Sequence, residues 1–560
     1  MKINLKSVLL WVGMSLIISG PCALAHTDVT AEKARELIDS TADLMVIDVR
    51  EPSEYSDTGG HIPGALNYPL YSGVLLTRYE ELPMDGPVLV VCGSGSRSHQ
   101  AAKFLDSKDF SMVYDMQAGM SAWIWETETG VDTNIKYGGG TGEPNDPYQI
   151  ATAEDLILLG ETPEDYDKHF ILTADIDLDP NLPGGKVFDR AVIAPDTNDA
   201  ELEFQGTPFN GVFNGNGYAI SNLHVQGGNY LGLFGKIDLI AKVSNLGLEA
   251  INIKGGGEHI GSLVGWNEGN ITMSYSAGTV SGIGMNVGGL VGFNLGSITT
   301  SHSGCEVSGT ISVGGLVGYN VGDLTGCYST AVVSGYLHVG GLVGYSQNGS
   351  ITTSYSSGTT TGGMSAGGLA GWNWGGVISK CYSTGTVTGN SDVGGLLGSD
   401  AEGNVTHCYS TGTVSGDSRV GGLLGYGIDS YVTNCFWDTQ TSGQTTSAGG
   451  TGKTTAEMQT ASTFLEVGWD FVDESANGTE DIWSICEGTN YPRFVWQIPA
   501  GDFVCPDGIT IDDFLFFMEH WLNDNCDSSN GYCEGTDLDK SGTVDVIDLE
   551  IFFENWSAGK

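Results

Sequence analysis

Positive charge is scarce in this chain. Its 560 residues carry 22 Lys and Arg against 68 Asp and Glu, a formal net charge of −46. Nucleic-acid binding needs a basic footprint, so nucleic acid is excluded as a partner. The balance suits cation binding and a saline exterior. Proline is sparse too, 16 residues beside 85 glycines, which rules out collagen and simple low-complexity chains. Beyond the first residues no apolar run reaches the ~20 residues that span a bilayer. Cysteine is thin in the first half: Cys92 is the only one between His26 and Cys305.

The first residues have the form of a secretory signal. Lys2 and Lys6 precede the apolar stretch Val8 to Ile18, and Ala23-Leu24-Ala25 supplies small residues for cleavage. Cys22 follows Pro21, a poor lipoprotein box, so cleavage after Ala25 without a lipid anchor is expected. The mature chain is expected outside the cytoplasm, in the periplasm, at the cell surface or secreted.

Three segments with different habits follow, at residues 26–130, 131–500 and 501–560. In the first, helix-like and strand-like stretches alternate. Thr30 is placed to cap a helix through Ala34, Leu37 and Ile38. Leu44 to Val49, Val88 to Val91 and Met112 to Asp115 read as buried strands. Alternation of this kind predicts a small parallel sheet covered on both faces, an α/β domain.

The middle segment is built on turns, Ser/Thr and β-branched residues, with regular repeats over about 259–445. Ile260, Val287, Val313, Val339, Ala366, Val393 and Val420 mark its phase, 26 or 27 residues apart. A unit of that length cannot bury a core alone, and stacking one unit per turn makes an all-β solenoid. Equivalent positions then form ladders. One runs Trp266, Phe293, Tyr319, Tyr345, Trp372, Ser399, Tyr426; another runs Tyr275, His302, Tyr328, Tyr355, Tyr382, Tyr409, Phe436. Structural stacking and a carbohydrate-facing strip are both open for these aromatics. Cys327, Cys381, Cys408 and Cys435 share a position held elsewhere by Ser274, Ser301 and Ser354. They read as small buried ladder residues, with disulfides between coils as the alternative.

Chemistry is expected at Cys92. It ends the apolar run from Pro87 and opens Cys92-Gly93-Ser94-Gly95-Ser96-Arg97, with a helix-patterned stretch from Arg97 to Lys108. A thiol between a strand end and a helix start meets free backbone N–H groups. Those donors, the helix dipole and Arg97 favour the thiolate. Ser447-Ala-Gly-Gly-Thr-Gly452-Lys453-Thr454 imitates a phosphate-binding loop, but Ser447 stands where the first glycine belongs.

The first segment resembles a single rhodanese domain over about residues 28–125. The resemblance rests on Val46-Ile-Asp48-Val-Arg50-Glu51-Pro-Ser-Glu54-Tyr55, Gly60-His61-Ile62-Pro63-Gly64-Ala65, the cysteine loop, and Gln117-Ala-Gly119-Met-Ser-Ala-Trp123. It implies that Cys92 attacks a sulfane sulfur, holds it as a persulfide and passes it to a thiol or cyanide. The amides of Gly93, Ser94, Gly95 and Ser96 would cradle the persulfide, and Arg97 would help bind an anionic donor. Asp48 and Arg50 would support the loop by pairing, and Glu54 and His61 are read as structural. Many members of the family carry a cation where this chain has Gly93, which weakens the case for thiosulfate as donor. The related cell-cycle phosphatases need one more loop residue, so phosphatase activity is not expected. An inert or redox-sensing module is the alternative.

The repeats resemble the GLUG motif of bacterial surface proteins, over about 138–497, which implies adhesion or display. A polysaccharide-binding or polysaccharide-cleaving β-helix is the alternative. The last segment, about 501–560, resembles a type I dockerin, a small α-helical EF-hand-like domain. Asp537, Asp539, Ser541, Thr543, Asp545 and Asp548 fall at ligand positions 1, 3, 5, 7, 9 and 12, with Gly542 at the sharp turn. The resemblance implies Ca²⁺ there and a cohesin-like or surface protein as partner. The earlier repeat around Cys505 to Asp513 lacks the early aspartates, so a second calcium site is not assigned. Cys526 and Cys533 are close enough in sequence for a local disulfide.

Overall fold

The computed structural model describes residues 26–558 except 42–43, 56–58, 72, 80–81, 109, 130–135, 183, 202, 473, 475, 506–507 and 528–530. The expected signal, residues 1–25, and Asp507 of the earlier tail repeat lie outside the described residues. The chain falls into two compact units, Met1–Lys136 and Tyr137–Lys560.

The described residues of the first unit hold five strands and four α-helices in alternation. They are β1 (Thr27–Val29), α1 (Ala31–Ser40), β2 (Met45–Asp48), α2 (Pro52–Tyr55), β3 (Leu66–Asn67), α3 (Val74–Arg78), β4 (Pro87–Val91), α4 (Ser96–Asp106) and β5 (Met112–Met116). The strands form one parallel sheet in the order β1-β5-β4-β2-β3. Central β4 is unbroken and β-branched because both of its faces are covered. Val88 and Val90 pack with Ala101, Ala102 and Leu105 of α4, while Leu89 and Val91 pack with Ala31 and Ala34 of α1. All four of these β4 residues are fully buried, worth about 1.5–3 kcal/mol each. Thr30 caps α1 as its sequence requires, its hydroxyl accepting from the N–H of Lys33. Short β1 and β3 carry too few apolar residues to stand out from sequence.

The larger part of the second unit is a parallel β-solenoid. Its repeat phase appears as backbone register: Ile260 pairs with Val287, and the chain of partners continues through Val313, Val339, Ala366 and Val393 to Val420. An aliphatic ladder from Ile271 through Ile298, Leu324, Ile351 and Ile378 to Val405 fills the interior. Buried Asn267, Asn294 and Asn320 form an amide ladder, each Nδ2 donating to the Oδ1 of the next at 2.6 and 2.7 Å. Such a ladder satisfies amides that burial would otherwise leave unpaired. It went unread because asparagine in a turn-rich repeat looks like a turn residue.

Both aromatic ladders stand in the expected register. From Tyr275 to Tyr409 neighbouring rings stack within 9° of parallel, with centroids 4.4–5.2 Å apart. Their faces are turned to one another, which supports structural stacking. Trp469, Trp483 and Phe494 pack on Tyr382, Tyr409 and Phe436, the C-terminal rungs of this ladder. A groove of about 490 Å³ remains beside Tyr328, Tyr355, Arg493 and Trp496, and among the described residues no carboxylate lines it. An acid pair for glycoside cleavage is therefore missing from that groove.

Cys327, Cys381, Cys408 and Cys435 are free and buried, not bridged between coils. Their sulfurs copy the serines they replace: the Cys327 thiol donates to the carbonyl of Thr325, as the Ser354 hydroxyl does to that of Thr352. Burial pushes the Cys327 thiol up to about 12, so it stays protonated.

The tail has its own apolar cluster, built on Phe517, Val544 and Phe552 with Cys526 and Cys533. Helices Ile511–Glu519 and Val546–Ala558 carry most of it. Cys526 and Cys533 form the expected local disulfide. A second bridge, Cys486–Cys505, ties the tail to the preceding segment; its partners lie 19 residues apart with no motif to mark them.

Candidate functional site

The cysteine loop begins where β4 stops at Val91 and ends where α4 starts at Ser96. Cys92 is only 1% exposed. Its sulfur accepts from the N–H of Gly95 at 3.1 Å and lies 3.5 Å from the Ser98 hydroxyl. A buried thiolate loses water, and a fixed donor such as the Gly95 amide replaces it. Ser98 was not read from sequence, yet its spacing six residues after the cysteine puts it on the first turn of α4, facing the sulfur.

The loop is held shut from the other side by the closing motif. Gly95 has φ +92°, and a Cβ there would fall 1.5 Å from the Gln117 carbonyl oxygen. Gly119 has φ +56°, and a Cβ there would fall 2.2 Å from the Cys92 carbonyl oxygen. Only glycine fits either position. The N–H groups of Met120 and Ser121 donate to the carbonyls of Cys92 and Gly93 at 2.7 and 2.9 Å. The motif around Gly119 is thus the second wall of the loop.

Asp48 and Arg50 form the expected pair beneath it. Arg50 Nη2 donates to Asp48 Oδ2 at 2.7 Å and to the Gly60 carbonyl at 2.9 Å, and both side chains are buried. Asn67 donates to the carbonyls of both residues, fixing the backbone after β2. His61 stacks flat on Tyr55, with centroids 3.6 Å apart.

Glu54 does more than the sequence led us to expect. Its carboxylate takes both terminal nitrogens of Arg97, at 2.5 and 2.6 Å. This bidentate bond holds the Glu54 carboxyl below its ordinary value and raises Arg97 further. The two residues are 43 positions apart, so no local spacing announces the contact. Arg97 also lies over the Tyr71 ring, 5.5 Å from its centroid. The guanidinium expected to meet an anionic donor is therefore aimed and partly neutralised. Ser94 and Ser96 are exposed on the outer side of the loop. A Cβ on Gly93 would make only ordinary contacts, 3.6 Å from Arg97 Nη2 and 3.9 Å from Arg50 Cδ.

The tail loop gathers Asp537, Asp539 and Asp548, whose donor oxygens lie within 4.8 Å of one another. Asp537 and Asp548 are buried, and burial pushes the Asp537 carboxyl up. Ser541 is drawn in, its N–H donating to Asp537 and Asp539, and its hydroxyl lies 3.3 Å from the Thr543 carbonyl. Gly542 makes the sharp turn at φ +100°. Asp545 donates its N–H to Asp548 Oδ2 at 2.8 Å, while its own carboxylate accepts from the Ile547 N–H and is not part of that trio. Buried carboxylates converging with a carbonyl and a hydroxyl are a donor set that fits a hard divalent cation.

Residues 30–125 match the rhodanese-like domain family, and residues 335–361 and 362–388 each match the GLUG motif. A sulfurtransferase of Allochromatium vinosum is 31% identical over 96 residues, 17% of this chain and 86% of that protein. A thiosulfate sulfurtransferase of Pseudoalteromonas translucida is 32% identical over 100 residues, 18% of this chain and 90% of that protein. The halomucin of Haloquadratum walsbyi is 27% identical over 186 residues, 31% of this chain but only 2% of its own length. Taken with the loop geometry around Cys92, these likenesses make the chain a member of the rhodanese-like domain family through its N-terminal unit.

Proposed function

We propose that the N-terminal unit is a sulfurtransferase working outside the cytoplasm, joined to a display solenoid and a calcium-dependent docking tail. The observation that carries the catalytic part is the buried Cys92 sulfur facing the Gly95 amide, at the mouth of a loop shaped by two obligatory glycines. The thiolate attacks the outer sulfur of a sulfane donor such as thiosulfate. The donor's sulfur–sulfur bond breaks, and sulfite leaves with the electron pair. Cys92 now carries a persulfide, cradled by the loop amides. A thiol or cyanide then attacks the terminal sulfur and frees the Cys92 thiolate. No oxidant is consumed. Thiocyanate formation from thiosulfate and cyanide, varied in both substrates, tests this: parallel-line, ping-pong kinetics are expected, and zero turnover with thiosulfate and polysulfide donors alike sinks the reading.

Gly93 sets the donor preference in this account. Since a side chain fits there, Gly93→Arg adds a cation beside the loop. KM for thiosulfate should fall about three- to tenfold, the worth of one solvent-screened charge. Turnover with a neutral persulfide donor should not change. A thiosulfate KM left where it was would show that charge at this position is irrelevant.

In the tail, Asp537, Asp539 and Asp548, with the Ser541 hydroxyl and the Thr543 carbonyl, would hold Ca²⁺, which supplies the charge balance for two buried carboxylates. Helix Val546–Ala558 begins within the loop, so ligation would fix its start for a protein partner of the cohesin type. Calorimetric titration of chelator-stripped chain should show Ca²⁺ binding that Asp548→Ala removes. Equal binding by that variant would place the ion elsewhere.

A further inference from the structure

A second set of metal-ligating side chains lies in the N-terminal unit, away from the cysteine loop. His26 stands just before β1, Asp28 lies in β1, Asp115 in β5 and His99 on α4. Asp28 and Asp115 are register partners in the parallel β1–β5 pair, so their side chains leave the same face of the sheet. That face is where α4 brings His99.

One nitrogen or oxygen from each of the four residues falls within 4.8 Å of the others. The spacings are finer than that bound. His26 Nε2 lies 3.3 Å from His99 Nδ1 and 3.6 Å from Asp28 Oδ1, and His99 Nδ1 lies 3.1 Å from Asp115 Oδ2. Four ligands around a tetrahedral ion at about 2.0–2.1 Å stand roughly 3.3 Å apart. The measured separations bracket that edge.

The surroundings orient the ligands. Asp106 Oδ2 lies 2.6 Å from His26 Nδ1 and also accepts from the His26 backbone N–H. With Nδ1–H donating to that carboxylate, Nε2 is left with its lone pair toward His99, the carboxylate–histidine arrangement that sets a metal ligand. Gln117 Nε2 donates to Asp28 Oδ2 at 2.6 Å, which frees Oδ1 for the site. Asp115 is 1% exposed, and its Oδ1 is buried without a hydrogen-bond partner among the described residues. A buried carboxylate oxygen left bare is costly, and a cation supplies what it lacks.

We propose that His26, Asp28, His99 and Asp115 bind one Zn²⁺-class divalent ion that clamps strand β1 to helix α4. Two imidazoles with two carboxylates favour a borderline ion over calcium, which takes oxygen alone. The His99 and Asp28 side chains are 43% and 47% exposed, so the ion can enter from solvent. Bridging β1 to α4 secures the edge strand of the sheet, and α4 is the helix that opens at the cysteine loop.

The test is calorimetric Zn²⁺ titration of the full chain, stripped of metal and saturated with Ca²⁺ to occupy the tail. One equivalent of Zn²⁺ is expected, with a rise in the melting temperature of the N-terminal unit. His99→Gln should abolish that equivalent while the metal-free melting temperature stays near its original value. Asp106→Asn, which removes no ligand, should weaken binding about ten- to a hundredfold. Cys92→Ala should keep the equivalent, separating this site from the thiol. No Zn²⁺ uptake, or uptake unchanged in both His99→Gln and His26→Ala, overturns the proposal.

Discussion

Cys92→Ala should lower sulfur transfer from thiosulfate to cyanide by more than about a thousandfold, because the group that carries the sulfur is gone. Cys92→Ser should do the same, since a hydroxyl cannot form a persulfide. Neither change should unfold the unit. The thiol has a 3.1 Å hydrogen bond from the Gly95 amide, a long contact with Ser98 and small apolar packing that alanine largely keeps, while the loop's backbone bonds to Met120 and Ser121 do not involve the side chain. Initial rates of thiocyanate formation check the first point, and circular dichroism the second. Activity persisting in Cys92→Ala would move the chemistry to another residue.

Asp48→Ala should strongly destabilise the N-terminal unit. Arg50 is 5% exposed and, among the described residues, would keep the Gly60 carbonyl as its hydrogen-bond partner. Breaking a buried pair on one side costs about 3–5 kcal/mol, mostly the penalty of the stranded charge. In the full chain the effect is readable by hydrogen exchange of the β4 and β5 amides, which report opening of this unit. Exchange there should speed up on the order of a hundred- to several-thousandfold. The double variant Asp48→Leu, Arg50→Met, which strands no charge, should recover most of that loss. If it does not, the pair does more than support the loop.

Much of this was legible in the sequence, and the reason differs from part to part. The central strand β4 could be read because complete burial leaves only apolar, β-branched residues there. The solenoid could be read because each turn repeats a register, so Val287, Val313 and Val339 announce one another. The cysteine loop could be read because glycines and arginine must sit at fixed offsets from Cys92. Contacts between distant segments could not be read this way. Glu54 reads from the motif as structural support, and only the fold carries it to Arg97. Likewise His26, His99 and Asp115 have no shared spacing; parallel pairing of β1 with β5 and the packing of α4 bring them together. Gly119 was legible as part of a motif but not as the wall of the loop, because its neighbour Cys92 lies 27 positions earlier.

Glu54 also gives the site a built-in competitor. An anionic donor reaching Arg97 must share it with a carboxylate already bonded through both nitrogens. This favours donors that bind through the loop amides, in keeping with the absence of a cation at Gly93.

The central claim is that Cys92 carries sulfur, and the mass of the Cys92 peptide tests it most directly. Protein treated with thiosulfate, and in parallel with a polysulfide, should show this peptide heavier by one sulfur atom. Cyanide should then return it to its original mass with release of thiocyanate. An unmodified peptide after both donors would contradict the account, leaving the N-terminal unit a binding module and the function with the solenoid and the tail.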